Sequence, residues 1–154
     1  MRLDQRDWTL LSLLQRDCRI SNAELAEKAG MSASSCWRRV RTFEEAGLIS
    51  RYGAVVEPEI AGLGFQAIVH VQLTRHDREK LDEFIEVIGK CPEVIECFAT
   101  TGQADYHLRV VVPDIAAYNR FLEDTLFRLP AVDSAQTNVV LRRLKQNAGL
   151  APRR

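Results

Sequence analysis

Apolar residues recur at helical spacing near the start of the chain and predict three short helices. The first helix is predicted from about Asp4 to Arg16, where leucines fall near one face. Ser21 precedes Glu24 by three residues, which is the spacing of a capping box, so a second helix is expected to begin there. Gly30 is placed to end that helix. In a helix-turn-helix the first helix, here the one that begins at Ser21, braces the second.

A third helix is predicted from Ser32, its N-cap, to Ala46, with Gly47 ending it. At helical spacing its apolar face holds Cys36, Val40 and Phe43. The opposite face holds Ser34, Arg38 and Arg41, with Arg39 at its flank. From Lys28 to Phe43 the chain has four basic residues and no acidic one. A helix of this kind can place its polar side in the major groove of DNA.

The β-rich segment 48–56 follows this helix and is predicted to form a wing or a linking strand. The residues predicted to contact double-stranded DNA are Ser32, Ser34, Ser35, Trp37, Arg38, Arg39 and Arg41, together with Arg51 in that segment. Three arginines on a helix are often only a solvated face. The two caps, the turn glycine and the acid-free stretch together favour DNA binding.

The second half of the chain predicts the element order β-α-β-β-α-β. Period-two alternation begins near Phe65, and Asp77 and Asp114 are placed to cap two amphipathic helices. With both helices on one side of an antiparallel sheet, the expected fold is ferredoxin-like, and the whole chain is of the α+β class. The last strand is predicted to hold Ala135, Thr137, Val139 and Leu141.

The predicted boundaries are a winged helix-turn-helix at 1–52, a linker at 53–64, the βαββαβ domain at 65–145 and a C-terminal tail at 146–154. The sheet face without helices is predicted to carry Ile68, Ile95 and Val111 or their neighbours. An apolar face of this kind is covered most simply by a second subunit.

Charge and composition narrow the function only slightly. The net charge is zero, which excludes a uniformly basic coat, although residues 1–52 hold nine basic against seven acidic residues. No apolar run approaches the roughly 18–20 residues of a membrane span, and the N-terminus lacks the apolar core of a signal peptide, so a cytoplasmic protein is expected. The four cysteines lack C-x-x-C spacing, and His70, His76 and His107 are scattered, so neither a metal site nor a cofactor is predicted.

Three long strings resemble the leucine-responsive/asparagine-responsive (Lrp/AsnC) family of transcriptional regulators. LDQRDWTLLSLLQRDCRISNAELAEKAGMS and CWRRVRTFEEAGLISRYGAVVEP are similar to its DNA-binding half, and TTGQADYHLRVVVPDIAAYNRFLEDTLFRLPAV is similar to its effector-binding half. The resemblance implies a homodimer formed through the C-terminal sheet, assembly to an octamer or similar ring, and an amino-acid effector bound between dimers.

The resemblance also implies an effector site at the turn between the second and third strands. Its residues would be Thr101, Gly102, Gln103, Ala104, Asp105 and Tyr106, with Thr137 as a wall. Asp105 would serve the ligand's ammonium group, directly or by ordering the turn. The family often has an aromatic residue at the position of Ala104 and an apolar one at Arg6, so the chain departs from it there. Gly102 and Asp105 are equally compatible with an ordinary turn.

Two alternative functions remain open at this stage. Some tetrapyrrole (sirohaem-type) decarboxylases resemble the same family, and His70 and His107 would then serve a porphyrin. The intact basic helix argues against such an enzyme. The other alternative is an effector-independent architectural protein that bends DNA, which Ala104 keeps open.

Overall fold

The structure is a computed structural model that describes residues 2–74, 77–146 and 149–152. Contacts divide the chain into two compact units. One comprises Met1–Val55 with Leu144–Arg154, and the other comprises Val56–Arg143. The first boundary falls within the predicted linker 53–64, and most of the predicted tail is grouped with the N-terminal unit. His76, one of the three histidines considered above, lies outside the described residues.

The N-terminal unit contains α1 (Gln5–Arg16), α2 (Asn22–Lys28) and α3 (Ala33–Glu45). Their side chains enclose a small core of Leu10, Leu11, Leu25, Ala26, Cys36 and Phe43. Ser21 and Ser32 cap α2 and α3 as predicted. The predicted capping box at Ser21 is only half formed, because the Glu24 carboxylate binds Lys28 at 2.7 Å instead of reaching back to the cap.

A reciprocal capping box forms at the start of α1, where none was predicted. The backbone N–H of Asp7 donates to the Asp4 carboxylate, and that of Asp4 donates to the Asp7 carboxylate, both at 2.8 Å. The segment 51–56 contains no hydrogen-bonded strand. The wing strand predicted within 48–56 is therefore absent there, because no second strand of this chain pairs with the segment.

The C-terminal unit contains β1 (Phe65–Leu73), α4 (Arg78–Lys90), β2 (Val94–Ala99), β3 (Tyr106–Val112), α5 (Ile115–Asp124) and β4 (Val132–Val139), with a short 3₁₀ turn at Leu126–Arg128. The four strands are antiparallel in the order β2-β3-β1-β4, which confirms the predicted ferredoxin-like fold. Leu141 lies beyond β4 and is 95% exposed, so its predicted place in the last strand is wrong.

Both helices of this unit pack on one face of the sheet. The largest buried side chains there are Val69, Val71, Phe84, Leu108, Val110 and Leu126. Because strand residues alternate between faces, Gln66, Ile68, His70 and Gln72 of β1 lie on the other face.

This second face of the sheet, here called the open face, is more polar than predicted. Its other residues, placed by strand register, are Glu96, Phe98, His107, Arg109, Val111, Ser134, Gln136 and Asn138. Ile68 and Val111 lie there as predicted, but Ile95 falls in a register shift between Val94 and Glu96. The expectation of an apolar face is therefore wrong, because hydrogen-bonding side chains occupy most of its positions.

Candidate DNA-binding helix and effector turn

The position of α3 is set by its cap and by its buried face. The Ser32 hydroxyl accepts a hydrogen bond from the Ser35 N–H at 3.3 Å, and the Asn22 side chain donates to the Ala33 carbonyl at 2.9 Å. Asn22 therefore ties the start of α2 to the start of α3. Cys36 is fully buried, and burial raises the pKa of its thiol. Such a thiol is a packing residue and a poor nucleophile at neutral pH.

The exposed side of α3 carries Ser34, Trp37, Arg38 and Arg41. The Arg41 guanidinium lies 5.6 Å from the centre of the Trp37 ring, and its Nε donates to Glu45 at 2.9 Å. Within the described part of the chain no ion pair involves Arg38, so its guanidinium is available to an external anion. Trp37 is 56% exposed, which leaves one side of its ring accessible.

Arg39 occupies a different environment from the other two arginines. Its Nη1 lies 2.8 Å from Asp4 and 2.5 Å from Asp7, the two members of the α1 capping box. The Asp7 N–H, followed by Arg39, holds the pKa of Asp4 below its usual value. Arg39 therefore links α3 to the start of α1, and of the three arginines on α3 it is the least available to DNA.

The C-terminal end of α3 is acidic and connects to the following segment. The Tyr52 hydroxyl donates to Glu44 at 2.7 Å, and burial together with that carboxylate raises the pKa of Tyr52 to about 12. Arg51 precedes Tyr52 and is exposed. Arg51 therefore stays close to α3 in the fold, although its segment is not a strand.

The predicted effector turn, residues 101–106, is fastened to β1. Gly102 has a φ of 127°, which strongly favours glycine. The Asp105 N–H donates to the Val71 carbonyl at 2.9 Å, and the Asp105 carboxylate accepts from the Leu73 N–H at 2.8 Å. The Gln72 side chain donates to the Gln103 carbonyl at 2.6 Å. Asp105 thus orders the turn, while its second carboxylate oxygen has no bond to the described residues.

The turn is surrounded by three cavities that separate the predicted effector residues. Asp105 and Tyr106 line a cavity of about 670 Å³ beside α4, with Leu73, Thr74, Asp77 and Arg78. Thr101, Gln103 and Ala104 instead line a groove of about 580 Å³ on the open face, with His70, His107 and Gln136. A cavity of about 430 Å³ at the tip brings Gly102, Gln103, Asp105 and Asp133 together. The side chains of Ala104 and Asp105 therefore line cavities on opposite sides of the sheet.

Thr137 lies apart from the turn. It pairs with Val69 on the helix-covered face of the sheet, and its hydroxyl lies 2.5 Å from the Tyr118 hydroxyl of α5. Thr137 lines none of the three cavities around the turn, and its role as a wall of the effector site stays a prediction.

His70 and His107 are neighbours in space, although the sequence separates them widely. Their ring centres lie 4.5 Å apart on the open face. Within the described residues no three His, Cys, Asp or Glu side chains are arranged to hold a metal ion. The same residues include no helix that is both long and apolar enough to cross a membrane.

Family models match both units of the chain. A winged helix-turn-helix DNA-binding model matches residues 3–50, and a model of the Lrp/AsnC ligand-binding domain matches residues 66–150. The chain belongs to the Lrp/AsnC family. This confirms the resemblance noted from the sequence, and it makes the chain a DNA-binding transcriptional regulator with a ligand-binding domain.

Individual Lrp/AsnC proteins are similar over nearly the whole chain. The leucine-responsive regulatory protein of Escherichia coli K12 is 37% identical over 145 residues, covering 94% of this chain and 88% of that protein. The transcriptional regulator AzlB of Bacillus subtilis is 36% identical over 139 residues, covering 90% and 88%. A transcriptional regulator from Neisseria meningitidis, solved as its L-Met complex, superposes with a TM-score of 0.92 at 36% identity, covering 97% and 96%.

Proposed function

We propose that this regulator binds specific DNA sites through α3 and that an amino acid bound near the effector turn changes its DNA affinity or its assembly. The observation that carries the proposal is that the arginines of α3 lie in two different environments. Arg38 and Arg41 lie on its exposed side, whereas Arg39 binds Asp4 and Asp7 and holds the helix in place.

DNA recognition by α3 follows from the chemistry of its exposed side. Arginine can donate two hydrogen bonds to a guanine edge in the major groove. Ser34 and Ser35 lie in the first turn, where small hydroxyl side chains can reach phosphates or bases. Trp37 and Arg51 would add contacts at the edges of this surface. Arg39 then acts indirectly, by fixing the angle between α1 and α3.

Ligand binding at the turn follows from its free polar groups. Within the described residues the backbone N–H groups of Gln103 and Ala104 make no hydrogen bond, so they can receive a carboxylate. Asp105 and Asp133 line the same tip cavity and suit an ammonium group. An amino acid offers both charges, and the relative from Neisseria meningitidis was solved with L-Met. We therefore place the effector at the tip of the turn rather than in the groove beside Ala104.

Assembly is proposed to use the open face of the sheet. That face has no helix of its own unit over it, and Phe98 on it is 56% exposed. A second copy would cover these side chains and form a homodimer, from which an octamer or similar ring can be built. An effector bound at the turns would then change DNA affinity if it binds the assembled states unequally.

The experiment compares operator binding by Arg38→Ala and Arg41→Ala with a matched control. Each loss should weaken binding by about 1–3 kcal/mol if the guanidinium reads a guanine. If it meets only phosphate, the loss should be equal on all sequences and lower the salt slope by about one. Arg128→Ala removes another exposed arginine, one in the C-terminal unit, and should leave operator binding unchanged. Fluorescence anisotropy across several salt concentrations measures all three, and wild-type affinity in both α3 variants would contradict the proposal.

The contact between His70 and His107 is the observation that keeps the tetrapyrrole alternative in view. Protein incubated with a porphyrin and freed of unbound porphyrin by gel filtration would then carry a Soret band, and the band should be lost in His70→Gln. Absence of such a band, together with operator binding, would favour the regulator. A panel of amino acids tested by thermal shift separates the regulator from an architectural protein, because a ligand of the native state raises its stability.

A further inference from the structure

Four side chains form a continuous row across the open face. Strand register aligns Phe98 of β2, His107 of β3, His70 of β1 and Gln136 of β4. The proposed function leaves both imidazoles of this histidine pair (His70 and His107) unassigned. Each is half-buried in the single chain, so a second copy on the open face would cover them further.

The two histidines of the pair are in direct contact, and Asn138 lies beside one of them. The two rings meet edge to face at 86° with centres 4.5 Å apart. The Asn138 side-chain nitrogen lies 2.9 Å from His70 Nε2, a contact in which the donor depends on the tautomer of the ring. Protonation of both rings would bring two positive charges into contact.

The other charged groups on the open face do not offset such protonation. Glu96 and Arg109 occupy the adjacent positions on β2 and β3, and they pair with each other at 3.1 Å. Arg109 also lies 3.5 Å from the Gln66 side-chain oxygen. The remaining side chains of β1 and β4 on this face are uncharged. At the end of the open face beside the effector turn, the Asp105 carboxylate accepts a hydrogen bond from the Leu73 N–H and lines the cavity beside α4.

We infer that the histidine pair makes assembly through the open face sensitive to pH. The inference rests on the proposed covering of that face by a second copy. Covering the rings removes the water that screens the repulsion between two protonated rings in contact, so the protonated pair favours separated chains. Separation therefore takes up protons, and a fall in pH through the histidine range of about 5–8 shifts the equilibrium toward separation.

The direct test is the dissociation constant of the full chain by sedimentation equilibrium. It should be measured at about pH 8 and at about pH 5.5, on either side of the range in which imidazoles titrate. Each proton taken up on separation raises the dissociation constant by up to about tenfold per pH unit. The wild-type protein should therefore dissociate at least tenfold more readily in acid, whereas His70→Gln/His107→Gln should keep the same constant at both values.

Two further variants separate the causes. His107→Lys carries a charge at both pH values and should be separated even at about pH 8, where imidazole is neutral. Ile68 lies on the same face, and an arginine at that position stays charged at both pH values. Ile68→Arg should therefore weaken assembly equally at about pH 8 and about pH 5.5. Circular dichroism confirms that each variant is folded.

Four outcomes would overturn the inference. Equal wild-type constants at both pH values, or an unchanged pH shift in the double glutamine variant, would contradict it while leaving assembly through the open face intact. Tighter assembly in acid would mean that a carboxylate of the second copy, such as its Glu96, meets the pair. Full assembly of Ile68→Arg would refute the open face itself, and the operator-binding result for Arg38→Ala would still stand separately.

Discussion

The DNA-binding helix and the effector turn are built from contacts of different range. Ser32 caps α3 from an adjacent position, and Asn22 supports it from eleven residues away. The effector turn depends on bonds from Gln72 and Leu73, which lie thirty-one and thirty-two residues from their partners. A surface formed by residues close in sequence keeps the arrangement that local periodicity predicts. A surface formed by residues of several strands does not, because strand register decides which side chains lie on each face of the sheet.

Arg39 is the exception on α3, and its partners explain why. Asp4 and Asp7 lie thirty-five and thirty-two residues away, a range similar to that of the turn contacts. Helical spacing placed Arg39 at the flank of the polar face, where both DNA and α1 are within reach. In the folded chain Arg39 binds the start of α1, and mutations can test this difference between Arg39 and the exposed arginines of α3.

The largest effect on stability is expected from Asp7→Ala. Asp7 is 8% exposed and accepts bonds from the Asp4 N–H and from Arg39, so its loss leaves the Asp4 N–H without a partner and Arg39 with Asp4 alone. The cost should be about 1–3 kcal/mol, the usual penalty for unsatisfied buried groups. Thermal denaturation with circular dichroism measures it.

Arg38→Ala is the matched control for the Asp7 result. It removes an exposed side chain of α3 and should leave the melting temperature unchanged while lowering DNA affinity. If the two variants lost the same stability, the distinction between the bracing and DNA-facing sides of α3 would be wrong.

The next effect is expected at Asp105, where two substitutions separate order from charge. Asp105→Ala removes the acceptor of the Leu73 N–H and should cost about 1 kcal/mol of stability, a typical net hydrogen bond. Asp105→Asn keeps an acceptor oxygen and should retain most of that stability. Both should abolish the response to an amino acid, because both remove the carboxylate. Calorimetry against an amino-acid panel provides the measurement, and a normal response in Asp105→Asn would assign the residue to turn order alone.

A smaller effect is expected at Thr137, and of one kind only. Thr137→Val removes the bond to Tyr118 and should cost about 0.5–1.5 kcal/mol. Because Thr137 lies outside the three cavities around the turn, ligand affinity should stay within about twofold of wild type. Tyr118→Phe removes the same bond from the other side and should match it. A selective loss of ligand binding in Thr137→Val would support the predicted wall.

The smallest effect is expected in acid, at the α1 cap. The pKa of Asp4 is lowered in the folded chain, so its contribution to stability is present above the ordinary carboxyl value of 3.8 and is lost as the pH falls through the folded value. Arg39→Ala should flatten this acid-side decline in melting temperature. A decline of unchanged slope in Arg39→Ala would mean that the Asp7 N–H alone sets the behaviour of Asp4.

The element order and the exposed arginines of α3 were accessible from sequence. Caps, turn glycines and apolar periodicity predicted the three N-terminal helices and the ferredoxin-like order, since these signals act within a few residues. Two predictions were wrong because they depended on the exact alignment or end of a strand. Ile95 lies in a register shift of β2, and Leu141 lies beyond the end of β4. The strand predicted within 48–56 is absent for another reason. A segment of high strand propensity forms no strand unless a second strand pairs with it.

By itself, therefore, the sequence determined the two-part fold, the family and the exposed arginines of α3. Only the tertiary structure decided that Arg39 braces α1, that Ala104 and Asp105 serve opposite sides of the sheet, and that His70 meets His107. Each of these facts joins residues that are distant in the chain. Such pairs are set by strand register and helix packing, which depend on the whole core rather than on any local pattern.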